Sequence, residues 1–259
     1  MTREARLDPA TETALAALIV VLADNKYFLG RRLSEWAVGA PTLESAVACA
    51  ALAQEELGHT RPLYSFLAQL EAPGAPVALE HDDDRERTYC LSYLRQRFPS
   101  WPYAAAALFL ADTALTIMLQ GLENGEHAVL RRRASRLIAD EPTHAKFALG
   151  RIRELAACSS QPALQAALAE LLPETLCWFG PAGEPGVNLL RSAGYVSHDN
   201  EQLRQQLLDR IAPSLHEAGL PIGIQWNDHG QRWEYPALPW ERWSSLERCT
   251  ETQARTPTT

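Results

Sequence analysis

The sequence predicts an all-α fold: a four-helix bundle with a long crossover between its second and third helices, then extra C-terminal helices and a short β-hairpin tail. Three observations lead there. Residues 13–36, 43–70, 103–123 and 130–155 carry apolar side chains at helical spacing. A Gly/Pro break at 37–41 separates the first two stretches and Asn124 with Gly125 separates the last two, so each couple folds back as an antiparallel hairpin. The hairpins are joined by residues 71–100, a connection of ferritin-like rather than up-down type.

Each further element has its own reason. The joining stretch holds prolines, a charged run at 81–87 and a short helix around 89–98. Beyond the bundle, residues 163–179 and 201–218 read as packing helices, the second capped by Asp199 or Asn200 and closed by Gly219. Residues 222–226 and 231–235 flank the turn 227–230 as a hairpin, and a final short helix lies near Trp240. The expected organisation is an extension at 1–11, the bundle at 12–160, a helical extension of the same domain at 161–248 and a disordered tail at 249–259. Pro142 falls inside the expected fourth bundle helix and must free a carbonyl near Ile138; it is either an incidental kink or a local opening that shifts Glu141.

The chemistry sits at two Glu-x-x-His turns, Glu56 to His59 and Glu141 to His144, the only two in the chain. A Glu and a His three apart share one helix face, so both reach one ion. In an antiparallel hairpin, residues equidistant from the turn lie at equal height. Asp112 therefore mirrors Glu141 and fits as a further ligand. The residue mirroring Glu56 is Lys26. It shares the apolar stripe of Leu15, Leu18, Leu22, Leu29 and Leu33, so it points inward. A buried ammonium requires carboxylate partners, here Glu56 and Glu141. Asp24, two residues away, lies on the wrong face. The expected metal ligands are thus Glu56, His59, Asp112, Glu141 and His144, with Lys26 as a substitution of undecided role. Two histidines, bridging acids and open positions suit iron that binds dioxygen.

Bulk properties exclude other classes. The chain has 259 residues, 46% hydrophobic, a net charge of −8 and a pI near 5.4, which disfavours nucleic-acid binding. The longest uninterrupted apolar run, 14–23, is well short of the roughly 20 residues that cross a bilayer. No charged-then-apolar leader opens the chain, so a cytoplasmic location without membrane contact is expected. Five cysteines form no Cys-x-x-Cys motif and are expected as reduced thiols. The run Arg131, Arg132, Arg133 reads as a solvated helix face, or else as a site for an acidic partner or a phosphate-bearing substrate.

Residues 23–36, 40–43, 54–59, 110–114, 178–181, 203–207 and the tail 220–240 resemble the phenylacetyl-CoA epoxidase family of ring monooxygenases, over roughly residues 12–248. The resemblance implies an aerobic oxygenase component with one or two irons that epoxidises an aryl-CoA thioester. It also implies a reductase and a second ferritin-like subunit, or a homodimer, as partners. Glu56, His59, Asp112, Glu141 and His144 match the family's iron positions, whereas catalytic subunits have Glu where this chain has Lys26. Ser34 to Trp36 and Ala40 to Leu43 are also similar to the family's C-type structural subunit, which lacks most ligands. A non-catalytic accessory subunit with a lysine-substituted, metal-poor site is therefore the alternative, and an iron store or peroxidase a third reading.

Overall fold

The computed structural model describes residues 8–70, 88–244 and 248–250. Among them are eight α-helices: α1 (Pro9–Gly39), α2 (Leu43–Leu67), α3 (Trp101–Glu123), α4 (Ala128–Ile138), α5 (Glu141–Ala156), α6 (Gln161–Cys177), α7 (Pro185–Ser192) and α8 (Asn200–Glu217). Two antiparallel strand pairs complete the tail, β1 (Gln225–Asn227) with β2 (Arg232–Glu234), and β3 (Trp243–Ser244) with β4 (Cys249–Thr250). The molecule is all-α with a ferritin-like bundle and a short hairpin, as the residue pattern predicts. The charged run at 81–87 lies outside the described residues.

The helix starts follow from local chemistry. Asp8 accepts from the Thr11 amide at 3.1 Å and Pro9 follows it, Thr42 accepts from Ser45 at 3.2 Å, and Asp199 forms a reciprocal capping box with Gln202. His127 caps α4 by accepting from the Leu130 amide at Nδ1, and it stacks on Tyr195. α3 is buried on every side from Ala104 to Leu119 and forms the axis of the core. α1, α4, α5, α6 and α8 pack around it. α1 and α3 are each long and apolar enough to cross a membrane, but 78% and 89% of their apolar windows are buried inside the protein.

Four expectations are corrected. The stretch 130–155 is two helices rather than one, because α4 ends at Ile138 and α5 starts afresh at Glu141. Pro142 occupies the first turn of α5, where no intrahelical N–H is required, so it starts a helix instead of bending one. The helix expected at 89–98 is a 3₁₀ turn at Ser92–Arg95. Its leading backbone is taken by α1: Asp24 accepts from the Tyr89 amide at 2.8 Å and Asn25 from the Leu91 amide at 3.0 Å. Finally, Cys249 and Thr250, expected in the tail, pair as β4, while 251–259 lie outside the described residues.

Candidate metal centre

Lys26 of α1, Glu56 of α2, Asp112 of α3, and Glu141 and His144 of α5 converge at mid-bundle, all buried. The approach of α1 to α2 depends on Gly30, one turn beyond Lys26. A Cβ there would lie 2.9 Å from Leu57 Cγ and 3.1 Å from both Ala53 O and Glu56 Cβ. Asp24 is on the opposite face of α1, where it accepts from the Tyr64 hydroxyl at 2.7 Å.

The Lys26 ammonium donates to three carboxyl groups: Glu56 Oε1 at 2.8 Å, Glu141 Oε1 at 2.8 Å and Asp112 Oδ1 at 3.2 Å. Its three N–H groups thereby reach three different helices. His144 Nδ1 lies 3.0 Å from Glu56 Oε1 and 3.6 Å from Asp112 Oδ1, without hydrogen-bond alignment. Thr116 donates to Glu141 Oε2 at 2.9 Å.

The two Glu-x-x-His turns clasp each other. His144 Nε2 lies 2.7 Å from Glu55 Oε2 beside the first turn, and His59 Nε2 lies 3.2 Å from Asp140 Oδ2 beside the second. The rings stack with centroids 6.2 Å apart. Sequence reasoning missed Glu55, Asp140 and Thr116. A signal for the first two was present, since an acid immediately precedes each Glu-x-x-His turn.

Of the expected ligands, Glu56, Asp112, Glu141 and His144 offer donor atoms all within 4.8 Å of one another and could hold a metal ion. His59 stands outside that group; its Nδ1 is 3.6 Å from Glu141 Oε1 and has no hydrogen-bond partner among the described residues.

Electrostatics decide how well an ion fits. Burial disfavours the Lys26 ammonium, but Glu141, Glu56 and Asp112 overcome this and hold its pKa well above the ordinary lysine range. Burial likewise opposes ionisation of Asp112, and Lys26 with His144 outweighs it, keeping that carboxyl far below the usual range. His144 is disfavoured by burial yet pushed up to about 11 by Asp112 and Glu56. Glu141 is pushed up to about 8, chiefly by burial, with Asp112 and Glu56 adding to it against Lys26. His59 is lowered by burial and by the facing Lys26. The Lys26 ammonium and the His144 ring therefore face the same three carboxyl groups, Glu56, Asp112 and Glu141. A pair of divalent ions does not fit this set, because the ammonium already stands among the three carboxyl groups and would repel them.

Comparison with known proteins agrees with this architecture. The family described as phenylacetic acid catabolic protein matches residues 1–257. The chain belongs to that family. Within the phenylacetic acid catabolic protein family, it is similar to the C-type subunit of 1,2-phenylacetyl-CoA epoxidase from Escherichia coli (strain K12), at 26% identity over 141 residues. That alignment covers 54% of this chain and 57% of the relative, little more than half of each.

Proposed function

We infer that this protein is a non-catalytic, ferritin-like accessory subunit of a phenylacetyl-CoA epoxidase-type assembly, in which Lys26 takes the place of one metal ion and closes the core. The observation that carries the reading is the Lys26 ammonium within 3.2 Å of Glu56, Asp112 and Glu141. The hydrogen bonds of that ammonium to all three carboxyl groups, which hold its pKa well above the ordinary lysine range, support it. So does similarity to the C-type subunit, the one that Ser34 to Trp36 and Ala40 to Leu43 resemble. On this reading a separate catalytic subunit carries the iron, acts on an aryl-CoA thioester and draws electrons from a reductase; this chain supplies shape and contact.

One observation favours a second reading, an oxygenase component with an altered iron site. Glu56 Oε2, His59 Nδ1 and His144 Nδ1 are buried and without hydrogen-bond partners among the described residues, which is how metal-facing donor atoms look. Glu56, Asp112, Glu141 and His144 would hold a single ion on the His144 side.

Iron analysis after anaerobic reconstitution separates the two. The accessory reading expects a small residue, below about 0.2 iron per chain. Stoichiometric iron together with oxygen-dependent turnover of an aryl-CoA thioester by this chain would overturn it.

A further inference from the structure

The bundle leaves one motif unexplained, the arginine run of α4. Arg133 is folded inward: its Nη1 donates to Pro62 O at 2.9 Å and its guanidinium lies 4.9 Å from the centre of the Phe66 ring. Together with buried Leu130, Ala134 and Leu137 it seats α4 on the bundle. Arg131, Arg132 and Arg136 point the other way and are exposed. Spaced one, four and five residues apart, they spread over about 140° of the outward half of a single helix and about 7–8 Å along it. Among the described residues, no carboxylate lies within ion-pair distance of any of the three, although the chain carries a net charge of −8. Other exposed arginines here do find an acid, as Arg153 does Glu217 and Arg232 does Glu234.

Three like charges on neighbouring turns repel one another, and nothing within the described fold offsets that repulsion. An external anion would. The face is the convex outer side of a helix, without the concavity that encloses a phosphate or other small anion. Its length and its spread of charge suit several carboxylates presented together by another polypeptide.

We propose that the outer face of α4 is a docking surface for an acidic face of a partner protein chain, held by Arg131, Arg132 and Arg136. The proposal rests on reading this protein as a subunit of an assembly, and it names the surface that assembly uses. The same helix leads into Asp140 and Glu141, so a partner seated on α4 would lie beside the half-exposed Asp140 that holds His59.

The test uses the full-length protein and a poly-L-glutamate peptide as the probe, with binding followed by fluorescence anisotropy across a salt series. Wild type binds with an affinity that falls as salt rises. R131S/R132S/R136S weakens binding by at least about tenfold, the triple lysine variant retains most of it, and the charge-matched control R153S/R191S/R242S leaves it unchanged. Equal weakening by the control set would overturn the proposal, since net charge alone would then explain the binding. Preference of the arginine face for inorganic pyrophosphate over the peptide would overturn it in favour of a small-anion site. Salt-sensitive self-association that disappears in the α4 variant would identify a second copy of this chain as the occupant and overturn it likewise. Iron content is read in a separate measurement, so failure here leaves the accessory-subunit reading standing and the reverse also holds.

Discussion

Lys26 is the residue on which the core turns. It is fully buried and joins α1 to α2, α3 and α5 through three charged hydrogen bonds. Lys26→Met keeps the bulk and removes the charge, leaving three carboxyl groups facing one another; a loss of about 3–5 kcal/mol is expected in urea unfolding at neutral pH. Lys26→Glu places a carboxylate at the mirrored position and should bind divalent cations more tightly than wild type, read by titration calorimetry with manganese(II). Gly30 is the second sensitive position. Gly30→Ala forces a Cβ against Ala53 O and Leu57 and is expected to cost about 1–3 kcal/mol. Gly58→Ala, on the same hairpin, meets nothing within 4 Å and should stabilise α2 by about 0.5–1 kcal/mol. Equal effects of the two in thermal unfolding would show that the α1–α2 approach is not set at Gly30. At this scale the sequence was informative about Lys26, because its stripe and its hairpin mirror could both be counted. Gly30 was silent, since a close approach has no signature without the partner helix.

At the scale of elements, the break between α4 and α5 places Glu141 at a helix start, not in mid-helix. The apolar period runs smoothly across Ala139 and Asp140, and a proline one residue after Glu141 is equally compatible with a bend and with a new first turn. Periodicity therefore could not divide the stretch. α7 escaped for a different reason: it is eight residues long and its apolar anchors, Val187 and Leu190, make less than one period. What fixes α7 is Glu184, which accepts from the Gly186 and Val187 amides at 2.8 and 2.9 Å and pairs with buried Arg248 at 3.3 Å. Burial raises the Glu184 pKa, but Arg248 and the two amides outweigh it, so the net shift is downward. A carboxyl depressed in the folded state contributes stability that is present above its unfolded pKa and is lost as pH falls through the lower folded value. Amide-exchange protection factors of α7, corrected for the intrinsic rate, should therefore fall as pH drops below about 4, and Glu184→Gln should remove that fall. Unchanged pH dependence in the variant would locate the acid-sensitive group elsewhere.

Across the whole molecule, the accessory-subunit reading has the bundle closed by the Lys26 ammonium and its three carboxyl partners, with no metal required. Prolonged chelation with EDTA is accordingly expected to leave the melting temperature within about 1 °C of the untreated protein, whereas a fold held by bound metal loses that binding energy on chelation. A large drop would contradict the accessory-subunit reading. The sequence alone determined the fold class, the two hairpins and the inward lysine, because helical period and turn residues are local properties that need no partner to be read. It also marked Glu56, Asp112, Glu141 and His144 as one group, since equal distance from a turn converts sequence separation into height. Only the tertiary structure decided that His59 stands aside, that Glu55 and Asp140 hold the histidines crosswise, and that Lys26 stands among three carboxyl groups. Those outcomes depend on distances between helices that are remote in sequence, and such distances are set by packing at Gly30 and by the rotation of each helix about its axis, neither of which a one-dimensional pattern contains.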